Sequence, residues 1–143
     1  MRQLTLLAAV FAAAVSTAVC AENRLVAAVI IAEAGGEGDT GMSAVAEVIQ
    51  TRSIKSGASA TAVVSAPKQF SCLNSGTNGF IDAKSKHPKW GLALKLSSLV
   101  ESRSLQTSYS KGATHFLVTG TKAKWAAKSK RVAVVGKTSF YKL

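Results

Sequence analysis

Acid is scarce in this chain. Only seven of its 143 residues are Asp or Glu, against 18 Lys and Arg, which leaves a formal charge of +11 at pH 7. Cysteine, proline and histidine occur twice each. Two histidines, His87 and His115, exclude a metal centre built from several imidazoles. Two prolines leave no Pro-rich linker, and no internal repeat is visible, so the chain reads as one domain long enough to bury a core. The two cysteines form no disulfide framework, for a reason that lies in the N-terminal segment.

That segment carries one charge, Arg2, followed by an almost unbroken apolar run from Leu4 to Val19. Val19-Cys20-Ala21 places small residues where a signal peptidase reads, so residues 1–21 are expected to be an export signal cleaved after Ala21. The run is short for a bilayer span, which needs roughly 20 apolar residues; an uncleaved anchor is the alternative. Thr17 and Val19 argue against a lipoprotein signal at Cys20. With Cys20 removed, Cys72 is alone in residues 22–143, where an internal disulfide is impossible. Such a thiol is either buried and inert or reactive.

Residues 22–143 form the expected functional domain and keep a charge of +10, Arg2 being the only charge removed. The lysines gather late, in "KAKWAAKSKR" (122–131). A field of this sign favours an anionic polymer. For an exported protein that means wall polymers or lipid head groups rather than nucleic acid, and a merely solubilising face is the alternative.

The periodicity predicts helices first and strands last. Residues 24–34 are apolar nearly all round, as in a buried helix, and Gly35-Gly36 stop it. Asp39 or Thr40 is expected to cap a second helix over 41–56, with Met42, Val45, Val48 and Ile49 inward and Glu47, Gln50 and Arg52 outward. A short helix is expected at 60–65, ended by Pro67, and a loop over 66–80. A further helix spans about 89–105, with Leu92, Leu96, Leu99 and Val100 as its core face. "THFLV" (114–118), "RVAVVG" (131–136) and "TSFYKL" (138–143) read as strands, the last two joined by a turn at Gly136-Lys137. This order argues for an α+β fold, a helical bundle followed by a small C-terminal β element.

Glu33 stands out in "VIIAEAGGEGDTG" (29–41). A carboxyl at the C-terminal end of an apolar helix is desolvated and faces the negative end of the helix dipole, and both effects raise its pKa. A proton retained near neutral pH is what a general acid needs. An exposed Glu at a helix end is the plainer reading. Glu37 lies beyond two glycines and need not share a face with Glu33; it can support Glu33's surroundings, cap the second helix or touch a ligand. With Asp39 read as a cap and Glu47 as exposed, the shortage of acids favours a mechanism with one carboxylate over a pair. Cys72 and His115 form a rival nucleophilic constellation. Phe70, Phe116, Trp90, Trp125 and Tyr141 can line a sugar-binding groove or fill a core, and Trp125, set among lysines, is the one least explained by a core.

Four stretches together resemble the SleB-type cell-wall hydrolases, the family of the spore-cortex lytic enzymes. "LVAAVIIAEAGGEGDTGMSAVAEVIQTRSIKSG" (25–57) is similar to the family's opening helix, E-x-x-G-E turn and Arg-containing second helix. "VVSAPKQFSC" (63–72) resembles its Gln-Phe-Ser loop, "GATHFL" (112–117) its Gly-Ala-Thr-His-Tyr strand, and "KSKRVAVVGKTSFYKL" (128–143) its closing hairpin. Where the family has Asn-Pro and a later Pro-Trp-Trp, this chain has Leu117-Val118 and Lys124-Trp125-Ala126.

The resemblance implies a lysozyme-like α+β fold and cleavage of the glycan strands of peptidoglycan, with Glu33 as the catalytic acid. A lytic transglycosylase needs no second carboxylate. On this reading Glu37, Gln69, Phe70, Ser71, Thr114, His115, Phe116 and Trp125 bind substrate. No cofactor and no metal are required, the partners are peptidoglycan and anionic wall polymers, and the exported protein is expected to be a monomer in the periplasm, cell wall or medium. Two other readings stand beside it: a wall-binding protein without turnover, and a Cys–His peptidase acting on wall peptides.

Overall fold

The computed structural model describes residues 23–143. The expected export signal lies outside the described residues. Within them, helix α1 covers 23–34 and α2 runs Gly38–Ser56. Helices α3 (Ala60–Ser65), α4 (Phe80–Ser85) and α5 (Trp90–Glu101) follow, then strands β1 (His115–Val118), β2 (Lys130–Val135) and β3 (Thr138–Lys142). The architecture is α+β, in agreement with a lysozyme-like fold, with its sheet at the C-terminal end.

The two helices flanking the Gly-Gly turn form the core. Val26, Val29 and Ile30 of α1 and Met42, Val48 and Ile49 of α2 are fully buried. Helix α2 is covered on several sides, by α5, α3 and β2, so its buried surface is wider than a single stripe. That is why the outward face expected for it is not there. Glu47 is only 5% exposed. Its carboxylate accepts from the backbone N–H of Tyr109 at 3.0 Å and of Ser110 at 2.7 Å, and from the Ser110 hydroxyl at 2.6 Å. Gln50 is likewise committed, donating to Leu105 O at 3.0 Å and accepting from Leu105 N at 2.9 Å. These two polar side chains pin the connection between α5 and β1, which lacks regular structure of its own. Hydrogen bonds to a charged group in such a setting contribute about 1.5–3 kcal/mol each.

Helix α2 also starts earlier than its capping residues indicate. Neither Asp39 nor Thr40 is the cap: the N-cap position is Glu37, without a side-chain cap bond, and Asp39 pairs instead with Lys89 at the start of α5. At its other end Gly57 takes φ 71°, a left-handed conformation that glycine adopts without a Cβ penalty. Helix α3 has the expected bounds, with Ser59 Oγ accepting from Ala62 N. Helix α4 was not anticipated. It is six residues long, buries no residue, and follows Gly79 at φ 67°. Helix α5 ends short of the expected Leu105, because the Ser102 hydroxyl turns back onto the carbonyls of Ser98 and Leu99 and Arg103 takes φ 54°. Its buried residues are Ala93, Leu96, Ser97 and Val100, while Leu92 and Leu99 pack at the core's margin.

The sheet order is β1-β3-β2, antiparallel throughout. β2 and β3 are joined at Gly136-Lys137, and β1 pairs with β3 in the register His115 with Tyr141 and Phe116 with Phe140. Phe140 is fully buried, so β3 is the strand that ties the sheet to the helices. Among the described residues no helix is long and apolar enough to cross a membrane.

Candidate active site

Glu33 occupies the last turn of α1. The chain leaves that helix through a tight turn in which Gly35 N donates to Ile31 O at 2.8 Å and Glu37 N to Ala34 O at 2.9 Å. A Cβ on Gly35 would sit 2.6 Å from the Ile31 carbonyl oxygen and 3.2 Å from His87 Nε2. Glycine is therefore required where the helix gives way to the turn. His87 is half-buried there, beside the turn.

Burial raises the Glu33 pKa above the ordinary carboxylate range; a hydrogen bond from the Cys72 thiol and the charge of Arg52 partly offset it. Cys72 lies in a 3-10 turn over Ser71–Leu73. Its own thiol is pushed up to about 12 by burial and by the neighbouring Glu33. A thiol so strongly held in its protonated form is a donor to Glu33, the opposite of an activated nucleophile. His115 is pulled below its ordinary pKa by burial and by Arg52 and Lys55. Its Nδ1 is 3.0 Å from Thr114 Oγ1. The thiol and the imidazole thus bond to different groups.

Arg52, read from the sequence as solvent-facing, is the organising cation. Its Nε donates to Thr114 O at 2.6 Å and its Nη1 to Gln69 Oε1 at 3.4 Å. Its guanidinium carbon lies 5.4 Å from the centroid of the Phe70 ring. Phe70 is 3% exposed and stands 6.3 Å from Phe116, which is 5.9 Å from Phe140. The large aromatic in the Gln-Phe-Ser loop is therefore an anchor. Burying a phenylalanine is worth about 1.5–3 kcal/mol, and this one fixes Cys72 two residues on, at Glu33. Gln69 and Ser71, on either side of Phe70, are exposed.

A second aromatic set stands beside the first. Trp125 lies 5.0 Å from His115 and, edge-on, 5.4 Å from Tyr141. The structure thus gives Trp125 a place: it covers His115 at the sheet. Next to His115 opens a groove of about 460 Å³. Arg52, Lys55, Gln69 and His115 line its polar parts, and Ala62, Val63 and Ala66 its apolar floor.

Glu37 has a structural partner. Its Oε2 accepts from Lys137 N in the β2–β3 turn at 2.9 Å, across 100 residues of sequence. Gly136 takes φ 57° there, and a Cβ on it would collide with that same carboxylate oxygen. The acid that follows the Gly-Gly turn clamps the hairpin to the end of α1. Among the described residues no group of His, Cys, Asp and Glu is arranged to hold a metal ion.

The cell wall hydrolase family matches the chain over residues 36–141. This chain belongs to that family. No curated protein and no solved structure matches it significantly. Membership makes the protein a cell wall hydrolase, with peptidoglycan as the substrate the family implies and the cell wall or its exterior as the place of action. The match begins just after Glu33, so the case for that residue in this hydrolase rests on its burial and its neighbours. Of the candidates read from the sequence, the structure gathers Glu33, Gln69, Phe70, Thr114, His115, Phe116 and Trp125 around Arg52 and the sheet, and commits Glu37 to the hairpin. Arg52 was missed, although it continues the apolar stripe of α2: it lies three, four and seven residues after Ile49, Val48 and Val45.

Proposed function

We propose that the protein cleaves the glycan strands of peptidoglycan as a lytic transglycosylase, with Glu33 as its single acid and base. The observation that carries this reading is the desolvated Glu33 carboxyl facing Arg52 and Cys72, with the next three acids along the chain engaged elsewhere: Glu37 on Lys137 N, Asp39 on Lys89 and Glu47 on Ser110. Glycosidases that work with two carboxyls need the second within about 5–9.5 Å of the first. Glu33 and its two neighbours supply a different set: an acid, a cation and a neutral donor.

In the first step protonated Glu33 gives its proton to the glycosidic oxygen as the C1–O bond breaks. The carboxylate that results is then stabilised by the Arg52 charge and the Cys72 S–H. It faces the positive charge developing at the sugar's C1. In the second step it takes the proton of the muramic C6 hydroxyl as that oxygen closes onto C1. The 1,6-anhydro ring completes the balance without water, and Glu33 regains its proton. Gln69, Ser71, Thr114, His115, Phe116 and Trp125 are the residues proposed to hold the strand beside Arg52. A peptidase using Cys72 is disfavoured by the thiol's high pKa and by its bond to Glu33.

Residues 1–21 are proposed as the cleaved export signal and 22–143 as the catalytic domain, acting as a monomer. N-terminal sequencing of the exported protein is expected to begin at Glu22; a chain still beginning at Met1 would point to an anchor. Mass spectrometry of digests of purified peptidoglycan tests the chemistry: anhydro-muramic ends support it, and reducing ends count against it.

A further inference from the structure

The groove between the end of α2, α3 and His115 does not look like a sugar subsite. Its floor is made of alanine and valine side chains, Ala62, Val63 and Ala66 among them, and its one ring is His115. A pyranose ring gains most from an aromatic platform, and Trp125, engaged by His115 and, edge-on, by Tyr141, does not line this groove. The floor suits short aliphatic groups. The rim is cationic: Arg52 and Lys55 both line it, and no Asp or Glu does. Arg52 is tied to Thr114 O, whereas Lys55, exposed in the last turn of α2, makes no ion pair among the described residues. At about 460 Å³ the volume falls within the ordinary range for small-ligand sites, roughly 300–1,000 Å³.

We propose that this groove binds the short, alanine-rich acidic peptide arm carried by the wall glycan, with Lys55 and Arg52 receiving its carboxylate and the alanine–valine floor receiving its methyl groups. The inference rests on the glycan-cleaving reading above. Arg52 connects the two, since it lines the groove and also bears on the charge of Glu33. A strand docked by its peptide arm would be held beside the acid, and strands stripped of peptide would be poorer ligands.

Calorimetric titration of the protein with two soluble disaccharides, one carrying an acidic tetrapeptide arm and one from which an amidase has removed it, tests this. The Glu33→Gln variant prevents turnover during the measurement. The arm-bearing ligand is expected to bind about tenfold more tightly. Lys55→Glu, at an exposed position, is expected to erase that preference, and Ala62→Phe, which fills the floor from an exposed alanine, to reduce it. Equal affinities for the two ligands, or a preference that survives both substitutions, would overturn the assignment. Its failure is separable from that of the catalytic reading: a wild-type protein that cleaves strands without an arm preference sinks the groove proposal alone. One that binds the arm but never cleaves glycan sinks the catalytic one.

Discussion

Glu33 is costly to ionise where it stands, and that cost has a measurable counterpart in stability. Its pKa is raised in the folded protein, so the folded state binds the proton more tightly than the unfolded chain does. The resulting stabilisation is complete below the unfolded carboxyl pKa and is lost as pH rises through the folded one. Glu33→Gln, which carries no such penalty, is expected to melt higher than wild type at pH 8, with the gap closing by pH 4. Thermal melts across that range check it; a gap that widens toward acid would mean that Glu33 is stabilised as the anion. Cys72 provides a second test. Its S–H bond lowers the Glu33 pKa, so Cys72→Ala is expected to move the alkaline limb of the activity profile to higher pH. Cys72→Ser, which keeps a donor, should leave both the limb and the rate near wild type. Loss of all activity in Cys72→Ser with an unchanged circular-dichroism spectrum would instead favour a thiol nucleophile. Of these residues Glu33 was legible in the sequence, because a carboxylate at the end of an apolar run is conspicuous. Arg52 and Glu47 were not, because each is polar on a helix whose burial is set by elements distant in sequence. Glu47 meets its partners 62 and 63 residues later, and no local pattern encodes that.

At the scale of elements, the site depends on a clamp between the turn after α1 and the closing hairpin. Glu37→Ala removes the acceptor for Lys137 N and is expected to cost about 1 kcal/mol, at the low end for a bond to a charged but partly exposed group. Glu37→Gln, which still offers a carbonyl oxygen, should recover most of it. Urea unfolding of the two variants makes the comparison, and equal stability for both would remove the clamp from the account. Local chemistry made some elements readable: Pro67 closes the segment of α3, and the Gly136-Lys137 turn separates two β-rich runs that pair as expected. Helix α4 was hidden because its six residues bury none of their number and leave no apolar period to detect. The early end of α5 was hidden for a different reason. Leu105 is an apolar residue that is buried, but off the helix, where its backbone is held by Gln50 from α2.

On the whole molecule, charge is distributed to favour an anionic surface. Lys122, Lys124, Lys128, Lys130 and Arg131 are all exposed around half-buried Trp125, on the side of the sheet that reaches His115. Exposed charges are screened beyond about 8 Å at physiological ionic strength. Sedimentation with insoluble peptidoglycan is therefore expected to fall as salt rises. Reversing Lys128 and Lys130 to Glu should weaken it while sparing cleavage of short soluble glycans. Retention independent of salt and of both reversals would leave the basic tail as a solvated surface. The architecture as a whole was readable because the hydrophobic period changes from helical to alternating once, near residue 114, and no α-helix follows β1.

One carboxyl serving as both acid and base is the central feature of the proposed chemistry, and product analysis tests it most directly. Purified peptidoglycan digested with the wild-type protein and with Glu33→Gln would be compared by mass spectrometry. The wild type is expected to release 1,6-anhydro-muramic products, and Glu33→Gln to lower their rate ~10²–10⁴-fold, the usual cost of losing a general acid, with its fold intact by circular dichroism. Reducing-end products from the wild type, or a folded Glu33→Gln protein that keeps most of its activity, would contradict it.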